Sequence, residues 1–149
     1  MHRRNMLWAA VSAFGAAFAA SRAGAATESP AAGKQKVVYH LSDLDKVPFV
    51  IGNIQNHFDG VGGPDNVTIA LVVHGPALRA FHTSEANPEL IQHVGRLSKS
   101  GLALAACGNA MRTQKVTLGD LVPGFVSADE GGVVRIAELQ SQGYLYLRP

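Results

Sequence analysis

The sequence predicts an α/β protein, a three-layer α/β/α sandwich with a mostly parallel five-stranded sheet. Two observations support this fold class. Short strand-like segments alternate along the chain with segments whose apolar residues recur at helical spacing. The strand-like segments are apolar at nearly every position, which is typical of strands buried on both faces of a parallel sheet. Right-handed crossovers between such strands place helices on both faces.

The first half of the domain contains two predicted strands and two predicted helices. Residues 37–41 (VVYHL) are the first strand. The helix that follows has Pro48 in its first turn and carries apolar residues at positions 47, 50, 51, 54, 58 and 61. Residues 66–74 are the second strand, and residues 77–86 have no clear pattern. A second helix begins at residues 87–89 (NPE) and stops at Gly101.

The second half is organised around the run LALAAC at residues 102–107. This run predicts a buried third strand, and Gly108 and Asn109 break it where a helix can start. Short helical pieces are predicted at residues 109–114 and 118–122, and a fourth strand at 125–128. The last helix opens at residues 131–132, with positions 133, 136, 137 and 139 on its apolar face. Gly143 closes it before a fifth strand at 144–147.

Residues 1–25 are predicted to be a cleaved signal peptide of the twin-arginine type. Arg3 and Arg4 precede a polar residue and two apolar ones, residues 7–20 form a short apolar core, and residues 23–25 (AGA) fit a cleavage site. The core is too short and alanine-rich for a stable membrane anchor, so we expect a periplasmic protein. Residues 26–35 are predicted to be a disordered lead-in, which leaves one domain at residues 36–149.

The charge of the chain argues against nucleic acid as a partner, and its cysteine content excludes an internal disulfide. The chain has 13 Lys and Arg residues and 11 Asp and Glu residues, but Arg3, Arg4 and Arg22 belong to the leader, so the mature chain carries 10 − 11 = −1. No clustered basic face remains for a phosphate backbone, and nucleic acid is not a predicted partner. A single cysteine cannot form an intramolecular disulfide.

Three reactive side chains fall at equivalent places in the predicted sheet. His40, His74 and Cys107 lie at or near the ends of the first three strands, and parallel strands bring their carboxyl ends to one edge. A histidine beside a cysteine can hold a thiolate, and amide groups at a following helix N-terminus favour the same form. Two imidazoles and a thiolate can also bind a soft metal. Alternatively, Cys107 is a small buried hydrophobe and the histidines cap turns.

The remaining polar candidates have weaker patterns. Asn53 and Asn56 share one face of the first predicted helix and can reach either a turn or the crevice. Residues at the strand ends, Gly75, Gly108 and Asn109, complete the candidate binding residues. The other three histidines, His57, His82 and His93, are interpreted as surface residues. No resident metal and no cofactor are predicted.

The domain resembles the DsrE/DsrF-like proteins over about residues 36–149. The resemblance rests on the order and spacing of VVYH (37–40), GN (52–53) with Asn56, VVHG (72–75), ACGNAM (106–111), DLVP (120–123) and GYLYLRP (143–149). It implies an α/β sandwich that assembles into trimers or hexamers and takes part in sulfur oxidation and sulfur relay. Some relatives carry sulfur as a cysteine persulfide, which makes Cys107 the candidate carrier.

Two functional hypotheses follow from these observations. In the first, Cys107 accepts sulfane sulfur from a donor and passes it to a partner thiol, while His74 or His40 tunes the thiol. In the second, the protein is a noncatalytic oligomeric binding module that holds a small ligand or metal in the crevice, and Cys107 only lines it. A cluster of apolar residues near the C-terminus, predicted to include Phe125, Tyr144, Leu145 and Tyr146, supports a homo-oligomer.

Overall fold

The computed structural model describes residues 33–149 as five strands and four α-helices. Their bounds are β1 (Gln35–Leu41), α1 (Val47–Gly60), β2 (Val67–Val73), α2 (Pro88–Lys99), β3 (Ala103–Cys107), α3 (Gly108–Gln114), β4 (Phe125–Ala128), α4 (Gly132–Ser141) and β5 (Leu145–Leu147). Short 3-10 turns occupy Leu44–Lys46, Pro64–Asn66, Gly75–Phe81 and Leu118–Asp120.

The sheet has the strand order β4-β3-β2-β1-β5, and every neighbouring pair is parallel. The predicted fold class is therefore confirmed. β1 pairs with β2 over seven residues and also lies next to β5. Because β1, β2 and β3 are parallel neighbours, their carboxyl ends lie together at one end of the sheet. The last crossover, through α4, carries the chain from β4 at one edge to β5 at the other.

Alternation of side chains along the central strands produces two apolar cores. Residues such as Val37, Ile69 and Leu71 face one side of the sheet, where they pack with apolar residues of α1, α2 and α3 in the larger core. Val38 and Val72 face the other side and pack against α4 through Ile136 and Leu139. Helices on both faces give the three-layer arrangement.

Local signals set the helix bounds as the sequence predicts. Asn87 caps α2 because its side-chain oxygen accepts a hydrogen bond of 2.8 Å from the Glu89 amide. Pro48 lies in the first turn of α1. Gly101 and Gly143, which follow α2 and α4, both have positive φ; such backbone is accessible to glycine at low cost.

Two packing expectations are wrong. Val133 is 66% exposed, and Ala137 is also exposed, because α4 lies on the sheet through Ile136 and Leu139 alone. Phe125 does not join the C-terminal aromatic residues, because β4 and β5 are opposite edges of the sheet. Its ring instead packs edge-on against Phe81, with 5.2 Å between centroids.

The N-terminal predictions lie mostly outside the described residues. The expected signal peptide at residues 1–25 falls entirely outside them. β1 begins at Gln35, which pairs with Val67. The last residue of the predicted lead-in at residues 26–35 therefore already belongs to the sheet. Within residues 33–149, no helix combines the length and the apolar character needed to span a bilayer.

Candidate functional site

A cavity of about 620 Å³ lies at the carboxyl edge of the sheet. Its walls come from three places: the turn after β2, the end of β3 with the first turns of α3, and the start of α4. Its volume falls within the range of small-molecule sites, about 300–1,000 Å³. Lining residues include His74, Gly75, Cys107, Asn109, Gly131 and Gly132.

The cavity forms where the chain leaves neighbouring strands in opposite directions. After β3, α3 turns to the face that carries α1 and α2, and its Ala110 and Met111 join the larger core. After β4, α4 turns to the other face. Two neighbouring connections that turn to opposite faces leave a crevice between them at the carboxyl ends of the strands. Open α/β sheets bind their ligands in such a crevice.

Cys107 is the last residue of β3 and lines this cavity. It is a free cysteine and only 5% exposed. Its backbone caps α3, but its side chain makes no capping hydrogen bond. The thiol is therefore at the wall of a small-molecule-sized cavity and is largely shielded from bulk solvent.

Three glycines let the walls of the cavity approach closely. A β-carbon at Gly132 would lie 3.1 Å from Cβ of His74 and 3.3 Å from Cβ of Cys107, so both of these side chains start close to this glycine. Gly131 has φ +111°, and a β-carbon added there would clash with the side-chain amide of Asn109. A β-carbon at Gly108 would lie 2.9 Å from the Asp129 carbonyl oxygen. Gly131 and Gly132 were predicted only as a helix start, although two adjacent glycines at that point are a signal of close approach.

His40 and His74 form a pair beside the cavity. Their rings are nearly parallel, with 4.6 Å between centroids, and their Nε2 atoms are hydrogen-bonded to each other edge to edge. Nδ1 of His40 is 2.6 Å from the Tyr146 hydroxyl. His74 lines the cavity, while His40 lies behind it. The structure therefore brings His74 next to His40 and places His74 and Cys107 together in the wall of one cavity.

Burial keeps both imidazoles neutral. Loss of solvation lowers the pKa of His40 to about 4, and nearby His74 and Arg148 add to this effect against the opposing charge of Asp43. The pKa of His74 is lowered by the same loss of solvation and by Arg148, again opposed by Asp43. Within residues 33–149, no group of three or more His, Cys, Asp or Glu side chains is arranged to hold a metal ion.

His82 corrects an expectation, because it is buried and not on the surface. It is 7% exposed, and its Nε2 lies 2.8 Å from the Gln114 side-chain oxygen. The amide of Gln114 donates a 2.8 Å hydrogen bond to the carbonyl of Gly75, whose φ is +58°. His82 thus supports the turn that carries His74. Sequence reasoning missed it because its partner is 32 residues away.

Asn53 and Asn56 lie in a different place from Cys107. They line a second cavity of about 450 Å³ together with His57 and the C-terminal residues. His57 is partly buried there, since its Nδ1 is 2.9 Å from the Tyr39 hydroxyl. His93 is also partly buried. Asn109, by contrast, lines the Cys107 cavity, and its side-chain oxygen accepts a hydrogen bond from Arg112.

Comparison with known proteins supports the fold and names no activity. A scan against models of protein families finds no match, and a search of curated proteins finds no similar sequence. Among solved structures, the chain is similar to MTH1491 from Methanobacterium thermoautotrophicum, described as a protein of unknown function. The TM-score is 0.67 at 26% sequence identity, over 77% of this chain and 99% of that one.

Proposed function

We propose that this protein is an exported sulfur carrier in which Cys107 accepts sulfane sulfur as a persulfide. The observation that carries the proposal is the placement of the only thiol of the chain in the wall of a small-molecule-sized cavity, with His74 beside it. The sulfur chemistry itself comes from the resemblance to DsrE/DsrF-like proteins, in which Cys107 occupies the matching motif.

The proposed step is a redox-neutral transfer. The Cys107 thiolate attacks the outer sulfur of a donor persulfide or polysulfide, a new S–S bond forms to Cys107, and the donor's own S–S bond breaks. The donor leaves as a thiolate with the electron pair, and the thiol proton of Cys107 passes to water or to that thiolate. An acceptor thiol reverses the step.

Isolation of the cysteine favours a carrier over a disulfide-forming enzyme. The chain has no second cysteine that could attack the Cys107 persulfide, release its sulfur and form an internal disulfide. A cavity that shields the thiol also limits exchange with large protein disulfides. A bound sulfane sulfur is then retained until a thiol enters the cavity or a partner protein opens it.

Burial of Cys107 is also the observation that favours the second candidate function, a noncatalytic binding module. At 5% exposure the thiol resembles an ordinary packed cysteine, and the cavity is large enough for a small organic ligand. In that case Cys107 contributes shape and not chemistry.

Mass spectrometry of the purified protein after exposure to inorganic polysulfide distinguishes the two functions. A carrier gains the mass of one sulfur, loses it on reduction, and fails to gain it as Cys107→Ser. Met111→Leu is the matched control, because Met111 is a buried residue of α3, the helix that Cys107 caps, and its side chain contains sulfur but no thiol. A protein that gains no sulfur while a known carrier loads fully, and whose thiol resists iodoacetamide until it is unfolded, is a binding module.

We also propose a periplasmic homo-oligomer, a trimer or hexamer. The paired arginines and the small-residue cleavage pattern of residues 1–25 support export. All three residues of β5, which is an edge strand, are exposed large hydrophobic residues, and an apolar edge of this kind commonly meets another chain. The numbers three and six come from the family resemblance.

A further inference from the structure

A continuous hydrogen-bonded chain of three side chains runs from the surface to the Cys107 cavity. It begins at the hydroxyl of Tyr146 in β5, passes through the ring of His40, and ends at the ring of His74. Tyr146 is 40% exposed, His40 is half-buried, and His74 lines the cavity. The chain thus connects a phenol at the edge of the sheet to the imidazole beside the thiol.

Acidity favours one direction of donation along this chain. A neutral imidazole has one N–H and one acceptor nitrogen, so the two Nε2 atoms can bond only if one ring donates and the other accepts. A phenolic hydroxyl, with a pKa of about 10, is a far stronger acid than a neutral imidazole N–H, so Tyr146 donates to Nδ1 of His40. His40 then carries its hydrogen on Nε2 and donates it to Nε2 of His74. His74 must carry its own hydrogen on Nδ1.

Of the four ring nitrogens of His40 and His74, Nδ1 of His74 is the one that this chain leaves free. Within residues 33–149, Nδ1 of His74 has no hydrogen-bond partner and is not a buried orphan, so it is the ring nitrogen left for a ligand of the cavity that His74 lines. In the tautomer set by the chain this nitrogen presents an N–H and not a lone pair. It can donate to an anion, but it cannot take a proton from a thiol.

We propose that His74 is a neutral hydrogen-bond donor to anionic sulfur in the cavity, and that Tyr146 is the positioning residue that sets this tautomer through His40. The identity of the acceptor as sulfur rests on the proposed carrier function, whereas the tautomer does not. The site would then favour a ligand with negative charge on or next to its reactive sulfur, such as a persulfide or polysulfide anion, over a neutral disulfide.

The surrounding charges are consistent with two neutral rings. Asp43 and Arg148 act on the pair, Tyr146 is hydrogen-bonded to it, and Cys107, Arg79 and Glu130 line the same cavity as His74. Burial and Arg148 disfavour an imidazolium at either ring, and Asp43 opposes them only in part. A proton added to the pair would occupy Nδ1 of His40, the nitrogen that accepts from Tyr146, so it would end that donation and leave the His40–His74 hydrogen bond in place.

The tautomers can be read directly from nitrogen chemical shifts of the histidine side chains in ¹⁵N-labelled protein at neutral pH. We expect His74 protonated on Nδ1 and His40 protonated on Nε2. Tyr146→Phe removes the donor at the outer end and should convert both rings to tautomer mixtures. Tyr144→Phe is the matched control, since Tyr144 is two residues away and its ring contacts Lys36, outside the chain; it should change neither ring. His74 protonated on Nε2 in the wild type, or no response to Tyr146→Phe, overturns the proposal.

Substitution of His74 separates a donor from a base in the sulfur reaction. The amide of asparagine can replace an N–H donor but not a base, and leucine replaces neither. We expect His74→Asn to load sulfur within about tenfold of the wild-type rate and His74→Leu to lose about a hundredfold, the typical effect of removing one anion-binding donor. Equal losses in both variants contradict the donor role. If the wild type loads no sulfur at all, the carrier function fails while the tautomer experiment still decides the role of Tyr146.

Discussion

Gly108→Ala should destabilise the protein although it adds a single methyl group at the first residue of a helix. The new β-carbon would lie 2.9 Å from the Asp129 carbonyl oxygen and 3.0 Å from both the Ala128 carbonyl oxygen and the Asp129 α-carbon. All three are backbone atoms, so no side-chain rotation can make room. The turn between β4 and α4 must move, and overpacking of this kind costs about 1–3 kcal/mol.

Gly95→Ala in α2 is the matched control. It also replaces a helical glycine, but its β-carbon would meet no atom within 4 Å. This variant should be more stable than the wild type by about 0.5–1 kcal/mol, because alanine loses less backbone entropy in a helix. The two substitutions therefore have opposite predicted signs and should differ by about 1.5–4 kcal/mol.

Urea denaturation at one fixed protein concentration measures both effects, provided that the m-values stay equal. The expected difference corresponds to roughly 6–16 °C in Tm for a domain of this size. If Gly108→Ala remains within about 0.5 kcal/mol of the wild type, the turn after β4 does not press on the start of α3 as the structure indicates. The same sign for both variants would leave only a general helix effect.

Four further outcomes test other parts of the structure. His82→Ala should lower the free energy of unfolding, measured by urea denaturation, by about 1–3 kcal/mol, because it leaves the Gln114 oxygen without its buried partner. His93→Ala should lower it less, because His93 is partly buried and makes no comparable hydrogen bond within residues 33–149. Since the pKa of His40 falls from 6.5 to about 4 on folding, the unfolded chain takes up protons first, and stability should fall as the pH drops from about 6.5 toward 4. His40→Gln should flatten that loss in thermal melts. Leu145→Lys should reduce the mass measured by light scattering, whereas a wild type that is already monomeric at micromolar concentration removes the oligomer proposal. Intact-mass measurement of periplasmic protein should show a chain that begins after Ala25, and recovery of the full-length chain would contradict export.

The fold was predictable because its signals are local. The apolar runs of β2 and β3, the helical spacing in α1, and the Asn87 cap each act within a few residues, and the structure has them where the sequence indicates. Packing between distant elements was less predictable. Val133 follows the helical pattern of α4, but whether it is buried depends on the position of the helix over the sheet, which no local pattern records.

The candidate site was predictable in part for the same reason. His40, His74 and Cys107 could be placed at strand ends, and a parallel sheet brings such ends together. Their order in space, with His74 in the middle, depends on the strand order and on Gly132, which the sequence does not reveal. Tyr146 and His82 were missed as partners because their contacts span 106 and 32 residues.

The cavity depends on residues that carry no reactive group. Gly108 lets the turn after β4 close against α3, and Gly131 and Gly132 let α4 begin directly beside His74 and Cys107. Any larger side chain at these three positions would push the walls apart or fill the space between them. Because α3 and α4 leave the sheet on opposite faces, a space opens between them at the carboxyl ends of the strands. The parting of two helices thus makes the cavity, the glycines let its walls approach each other, and Cys107 and His74 bring a thiol and an imidazole to its wall.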